Sequence, residues 1–393
     1  MSAFQQAQEP EKSDGALSPP TLRFRVKGRN LSSLERSWGK SLLTNFKNSE
    51  WIILLFFLKT TFPLGSGHLI VQILNMYHPD GEKILNRHAK VKKFAEYNEA
   101  EIIAYLQDHP DVKAILLRAP AKITPAILDQ CHHVTVISGS GVGLDNIDVD
   151  YATKKGIAVL HAPKINSQAT AEHAIGLLLA VMKKTVLLDT ETRKGNYSIR
   201  NGKYTYELKN KTLGLVGFGS IAQKVAKIAT NGFDMKVFAY VRTITDEKQQ
   251  LAKQLHIELT TELESVFRES DAVSLHIPLT KETDQLIDQK YFSLMKKSAV
   301  LINTARGGII KEADLVSALK NGQILGAGID VFSDEPPPKD HPFFQLNQVT
   351  VSPHIGGISI EAAKKTSVII AENLIRVMNG EDLPVIANRQ VIL

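Results

Sequence analysis

The sequence predicts an α/β protein built on a doubly wound parallel sheet. Three observations carry this expectation. From His68 onward, short apolar runs alternate with amphipathic stretches, the rhythm of repeated β-α-β units. A Gly-x-Gly-x-x-Ala spacing, Gly217, Gly219 and Ala222, joins one apolar run to an amphipathic one. The composition, 43% hydrophobic and 22% charged over 393 residues, is that of a globular enzyme with volume for two domains.

The same values exclude other classes. The longest apolar run, Trp51 to Leu58, is closed by Lys59 and falls far short of the ~20 residues that span a bilayer, so no membrane partner is expected. Cys131 is the single cysteine and forms no internal disulfide, which fits a cytoplasmic setting. The net charge is +6, but residues 1–66 hold 9 Lys and Arg against 5 Asp and Glu, leaving the rest nearly neutral. The body shows no cluster of Lys and Arg, so no nucleic-acid partner is expected. No metal ion is expected either.

Residues 1–66 form an N-terminal extension, polar to Pro20 and expected to be disordered, and dispensable for activity. Its acids, among them Glu9, Glu11 and Asp14, argue against a transit peptide. Strands are expected at 69–76 (LIVQILNM), 114–118, 134–139 and 157–163, with a helix over 80–90. The helix expected over 167–184 is apolar nearly all round from Ile175 to Met182, so it is buried in a core, at a domain junction or against a second subunit. Six further strands follow at 212–219, 235–241, 272–277, 299–305, 327–332 and 349–354, most of them separated by helical patterns. A long helix over 360–378 closes the chain.

Within the glycine motif, Gly217 permits the tight turn and Gly219 lets the backbone approach a pyrophosphate. Small Ala222 lets helix and strand pack closely, and the helix N-terminus stabilises phosphate charge. An acidic residue about 20 positions on would favour NAD(H). This chain has Val241-Arg242 there, which favours NADP(H), although Arg242 could equally be solvated or stack on adenine.

Three segments fall at expected strand ends: NTARGG (303–308), GIDVFSDEPPP (328–338) and VSPHIGG (351–357). With the glycine motif, SGSGVGLDNID (138–148), TAEHAIGLLLA (170–180) and LHIPLTKET (275–283), they resemble the D-isomer-specific 2-hydroxyacid dehydrogenases from about His68 to the C-terminus. Reducing a 2-oxo acid requires a hydride, a proton for the carbonyl oxygen and an anchor for the carboxylate. Arg306 offers a planar fork of donors that matches a carboxylate. His354 can hold a transferable proton near neutral pH. Glu335 would accept from the second imidazole nitrogen and stabilise the imidazolium. By resemblance these three correspond to the family's Arg–Glu–His catalytic set.

The resemblance assigns other positions singly. Val142 and Gly143 match the loop whose amides meet the substrate carboxylate, along with Arg306. Ser220 and Ile221 match residues at the pyrophosphate, with Arg242 beside the adenosine ribose. His276, Pro278 and Thr283 line the cofactor groove, as do Thr304, Ala305 and Gly357. Asp330 matches an aspartate near the nicotinamide, though it could be an ordinary structural carboxylate.

The resemblance further implies a Rossmann coenzyme domain (168–355) inserted into a flavodoxin-like substrate-binding domain (67–167), to which the C-terminal helix (356–393) returns. The expected activity is NAD(P)H-dependent reduction of a small 2-oxo acid, such as glyoxylate or hydroxypyruvate, by a homodimer. Two departures bear on substrate: Gly139 stands where many phosphoglycerate dehydrogenases carry a basic residue, and 39 residues after His354 leave no room for a regulatory domain. D-3-phosphoglycerate dehydrogenase, with Arg118 helping, and a dinucleotide-sensing corepressor are the alternative functions.

Overall fold

The computed structural model of the chain describes residues 67–141 and 143–391. The extension over 1–66 and Val142 lie outside them. The first half runs β1 (Leu69–Ile73), α1 (Pro79–His88), β2 (Lys90–Phe94), α2 (Glu99–Asp108), β3 (Val112–Leu117), α3 (Pro125–Asp129), β4 (Val136–Gly139), α4 (Val149–Lys154) and β5 (Ala158–Leu160). Its strands form one parallel sheet in the order β2-β1-β3-β4-β5. The interior strands β1, β3 and β4 are almost wholly buried, which is why their sequences are largely apolar runs. The helices begin at polar caps: the Asn98 side chain accepts from Ala100 and Glu101, and Asp148 accepts from Tyr151.

Strand β2 corrects the sequence reading, which ran a helix through to residue 90. The helix stops at His88, where Ala89 turns extended, and KVKKF then pairs with β1. An edge strand needs little apolar surface, and only Phe94 of this one is buried, so its lysines hid it.

The second half runs α5 (Ser167–Met182), α6 (Thr185–Arg193), β6 (Thr212–Val216), α7 (Ser220–Phe233), β7 (Lys236–Tyr240), α8 (Asp246–Gln254) and β8 (Glu258–Thr260). It continues through α9 (Leu263–Glu269), β9 (Ala272–Leu275), α10 (Gln289–Leu294), β10 (Val300–Asn303), α11 (Glu312–Lys320), β11 (Gly326–Ile329), β12 (Val349–Val351) and α12 (Ile360–Met378). Seven parallel strands pair in the order β12-β11-β10-β9-β6-β7-β8. Six were expected; the seventh, β8, is a three-residue edge strand with too few residues to show a period.

Each sheet has one place where the strand order reverses, between β1 and β3 in the first and between β6 and β9 in the second. Such switch points open a crevice beyond the carboxyl ends of the strands, where ligands of doubly wound sheets bind. Helix α5, apolar on most sides, is covered within the chain by α7 and the β10–β11 face. Gly326 and Gly328 make that possible, because a Cβ on either would run into Val181 or Leu177.

Helix α12 lies on the first sheet, not the second. Ile370, Ala371 and Leu374 share a core with Ile70, Leu85 and Leu116. The His78 N–H donates to Ser367 Oγ at 3.0 Å, and Gly81 leaves room for the Ser367 backbone. Beyond the helix, Asn388 caps the sheet edge: its Oδ1 accepts from Val159 N–H at 2.7 Å and its Nδ2 donates to the Ile157 carbonyl at 2.9 Å.

Candidate active site

The loops that follow the strands of both sheets wall a cleft of about 760 Å³. From the first sheet come residues after β1 (Tyr77), after β3 (Lys122) and after β4 (Gly143, Asp145). From the second come Ile221 after β6, His276 and Pro278 after β9, Thr304–Arg306 after β10, Asp330 and Glu335 after β11, and His354 and Gly357 after β12. Because every strand of both sheets is parallel, their carboxyl-end loops gather these residues in one place.

His354 and Glu335 are paired. The His354 Nδ1 lies 2.7 Å from Glu335 Oε2, and Glu335 Oε1 accepts from the Phe332 N–H at 3.1 Å. Partial burial pushes the Glu335 carboxyl up, but the hydrogen bond and charge of His354, the Phe332 N–H and the charge of Arg306 outweigh it. The carboxyl is held below its ordinary range. Backbone φ at His354 is +50°, a conformation unusual for a side chain of this size.

Asp330 explains how that conformation persists. Its carbonyl accepts from the His354 N–H at 2.8 Å. Its carboxylate accepts from Ser352 Oγ (2.6 Å), the Ile355 N–H (2.9 Å) and the Gly356 N–H (2.9 Å), with His173 Nε2 at 3.3 Å. Although burial alone would raise its pKa, these donors hold Asp330 below the ordinary carboxylate range. The carboxylate is thus spent on shaping the histidine turn. His173 and Ser352, themselves 2.8 Å apart, belong to this network and were not singled out in the sequence. Only the helical position of His173 could have pointed to it.

Arg306 reaches across the cleft. Its Nε and Nη2 both donate to Asp145 Oδ2, at 2.9 and 2.8 Å, and its Nη1 donates to the Ala305 carbonyl at 2.7 Å. Gly143 lies flat against the guanidinium, where a Cβ would collide with Nη2. Asp145 is exposed, and among the described residues its side chain is hydrogen-bonded only to Arg306.

The glycine turn fits a dinucleotide. Gly217 has φ +104°, and a Cβ there would sit 2.6 Å from the His276 carbonyl oxygen, so only glycine suits it. Gly219 precedes α7, whose N-terminus has no side-chain cap and keeps its first N–H groups for an anion. Ala222 is fully buried against the sheet. Ser220 is hydrogen-bonded to Ser167 across 3.0 Å. The Thr304 hydroxyl, at the cleft wall, is buried with no partner among the described residues, a polar atom suited to meeting a ligand. Burial pushes the His276 imidazole down to about 4, and its Nε2 meets Ser274 Oγ at 2.9 Å.

The other expected cofactor residues are Thr283 and Arg242. The Thr283 hydroxyl is engaged within its own turn, donating to the Pro278 carbonyl at 2.7 Å, and so shapes that loop. Val241 is buried at the end of β7, and Arg242 is exposed.

Comparison with known proteins agrees with this geometry. Residues 175–356 match the family model described as D-isomer specific 2-hydroxyacid dehydrogenase, NAD binding domain. The chain is 37% identical over 319 residues to a glyoxylate reductase of Pyrococcus furiosus, covering 80% of this chain and 93% of that one. It is 35% identical over 311 residues to a D-3-phosphoglycerate dehydrogenase of Methanocaldococcus jannaschii, covering 79% of this chain and 58% of that one. Among solved structures, an acyclic imino acid reductase in complex with NADPH and D-Arg superposes with a TM-score of 0.71 at 31% identity, over 81% of this chain and 99% of that one. With an uncapped glycine-turn helix, an arginine fork and a glutamate-held histidine on one cleft, and with relatives of this likeness along four-fifths of its length, the chain belongs to the D-isomer-specific 2-hydroxyacid dehydrogenase family.

Proposed function

We propose that the chain reduces small 2-oxo acids to D-2-hydroxy acids with NAD(P)H, and that glyoxylate and hydroxypyruvate are its favoured substrates. The observation that carries this reading is the placement of Arg306 and the His354–Glu335 pair on the wall of one cleft beside the glycine turn. NAD(P)H held at the Gly217–Gly219 turn would supply the hydride for the carbonyl carbon. Arg306 turns its fork from Asp145 to the substrate carboxylate, where two parallel N–H bonds fix the oxo group's orientation. The Gly143 amide, with that of Val142, adds donors to the same carboxylate. His354 gives the carbonyl oxygen a proton from Nε2, because Glu335 retains the one on Nδ1; the donor is therefore the imidazolium, which Glu335 stabilises.

Residues 67–167 and 356–393 are assigned to the substrate-binding domain and 168–355 to the coenzyme domain, with the cleft between them. Exposed Val186, Tyr197 and Tyr204, which follow α5, support a homodimer. The single buried cysteine supports a cytoplasmic setting. NADPH is the favoured cofactor, since Val241 cannot accept from a ribose hydroxyl whereas neighbouring Arg242 can meet a 2′-phosphate. A phosphorylated 2-oxo acid is the second reading, favoured by Lys122 on the cleft wall. A screen of 2-oxo acids, each with NADH and NADPH, tests the substrate and cofactor readings. Turnover of glyoxylate with preference for NADPH, flattened by Val241→Asp, is the expected result. A clear NADH preference removes the role given to Arg242, and turnover only of the phosphorylated acid selects the second reading.

A further inference from the structure

Glu335 orients His354, but its loop is pinned from outside the cleft. The Ser333 N–H donates to Glu312 Oε1 at 2.8 Å, and Glu312 Oε2 lies 3.2 Å from His341 Nε2. His341 Nδ1 accepts from the Phe343 N–H, so the ring's proton sits on Nε2 and is donated to Glu312. The His341 ring is buried, edge-on to Phe332 at 5.3 Å and against Phe343 and Phe344. Phe332 is the residue whose N–H holds Glu335. Glu312 opens the helix that follows the Arg306 loop, and Gly307 of that loop is pressed on the Phe332–Ser333 backbone so closely that a Cβ has no room. Two links, one hydrogen-bonded and one steric, therefore join the loop of Arg306 to the loop of Glu335.

Resting on the dehydrogenase reading, we propose that Glu312 and His341 are positioning residues: a latch that holds Glu335 against His354 and keeps the acid–base pair in register with Arg306. Neither side chain lines the cleft. Their effect passes through the Ser333 and Phe332 backbone. The charged groups facing the Glu335 carboxylate are His354 and Arg306, and with the latch open both contacts weaken and the carboxyl protonates at higher pH.

The test compares the full chain with His341→Leu, His341→Gln and Glu312→Gln in reduction of glyoxylate across pH. Leucine keeps the apolar packing and removes the donor. Glutamine at 341 places an amide N–H near the Nε2 position. Glutamine at 312 leaves one acceptor for two donors. His341→Leu and Glu312→Gln are expected to lower kcat about tenfold, as a misplaced reacting group does, with KM changed less than about twofold. The acid limb of the pH profile should rise by about half a unit, and His341→Gln should recover most of both losses. Carbon NMR of the Glu335 carboxyl gives the same titration shift without substrate, so a wild type that fails to reduce glyoxylate refutes the function and leaves the latch decided by NMR. Should His341→Leu not fold, Glu312→Gln decides on the same readouts. Folded variants with wild-type kcat and an unmoved Glu335 titration would overturn the proposal. So would a His341→Gln variant as impaired as His341→Leu, since packing alone would then explain the loss.

Discussion

His354, the proposed proton donor, sits in a strained position, at φ +50°, with its ring held by Glu335. Removing its proton in His354→Gln should lower turnover roughly 10²–10⁴-fold while dinucleotide binding, followed by fluorescence titration, stays near wild type. At Arg306, alanine should chiefly damage kcat/KM, and lysine should restore only part because a point charge does not reproduce the fork. Full rescue by lysine would contradict a two-bond anchor. Asp330 gives a pH prediction. Its folded-state pKa is depressed, so its contribution to stability is fully present above the ordinary carboxylate range and is lost as pH falls toward the depressed value. Asp330→Asn leaves one acceptor for donors that used two, and should cost about 1–3 kcal/mol in urea unfolding near neutral pH, a deficit that shrinks in acid. A deficit independent of pH would show that the charge contributes nothing. The sequence shows Arg306, Glu335 and His354 because glycines and prolines mark their turns. It does not show that Asp330 serves the histidine turn, since that depends on three donors from residues 352–356 folding over it.

At the level of elements, the interior strands and the edges β5 and β12 were legible, and the edges β2 and β8 were not. β6, β9 and β10 are buried on both faces and read as apolar runs, whereas β2 and β8 pair on one side only and carry lysine, glutamate and threonine. The β6–α7 turn was legible because its geometry admits few residues. Gly217→Ala forces φ +104° on a Cβ that meets the His276 carbonyl, and should cost about 1–3 kcal/mol in stability as well as weaken dinucleotide affinity. Thermal unfolding with and without NADPH separates the two effects, and an alanine variant stabilised by NADPH as strongly as the wild type would show that the turn does not hold the pyrophosphate. Thr283 marks the opposite limit. The resemblance assigned it to the groove, and its hydroxyl donates to the Pro278 carbonyl, a contact set by local hydrogen bonding that no spacing reveals.

For the whole molecule, two parallel sheets with their carboxyl ends toward one cleft bring together residues from Tyr77 to Gly357. The chain closes this arrangement by sending α12 and the tail back to the first sheet, where Asn388 is 2% exposed and bonded to Val159 and Ile157. Asn388→Ala leaves those backbone groups without partners and should destabilise by about 1–3 kcal/mol, read from urea unfolding. An unchanged midpoint would show that the tail adds nothing to the first sheet. The claim at the centre is that Arg306 orients a 2-oxo acid so that hydride and the His354 proton add with one handedness. Chiral analysis of the glycerate formed from hydroxypyruvate, against the NADPH consumed, tests it most directly. One D-glycerate per NADPH oxidised is the predicted result; L-glycerate, a racemate, or bound NADPH that is never oxidised would contradict it.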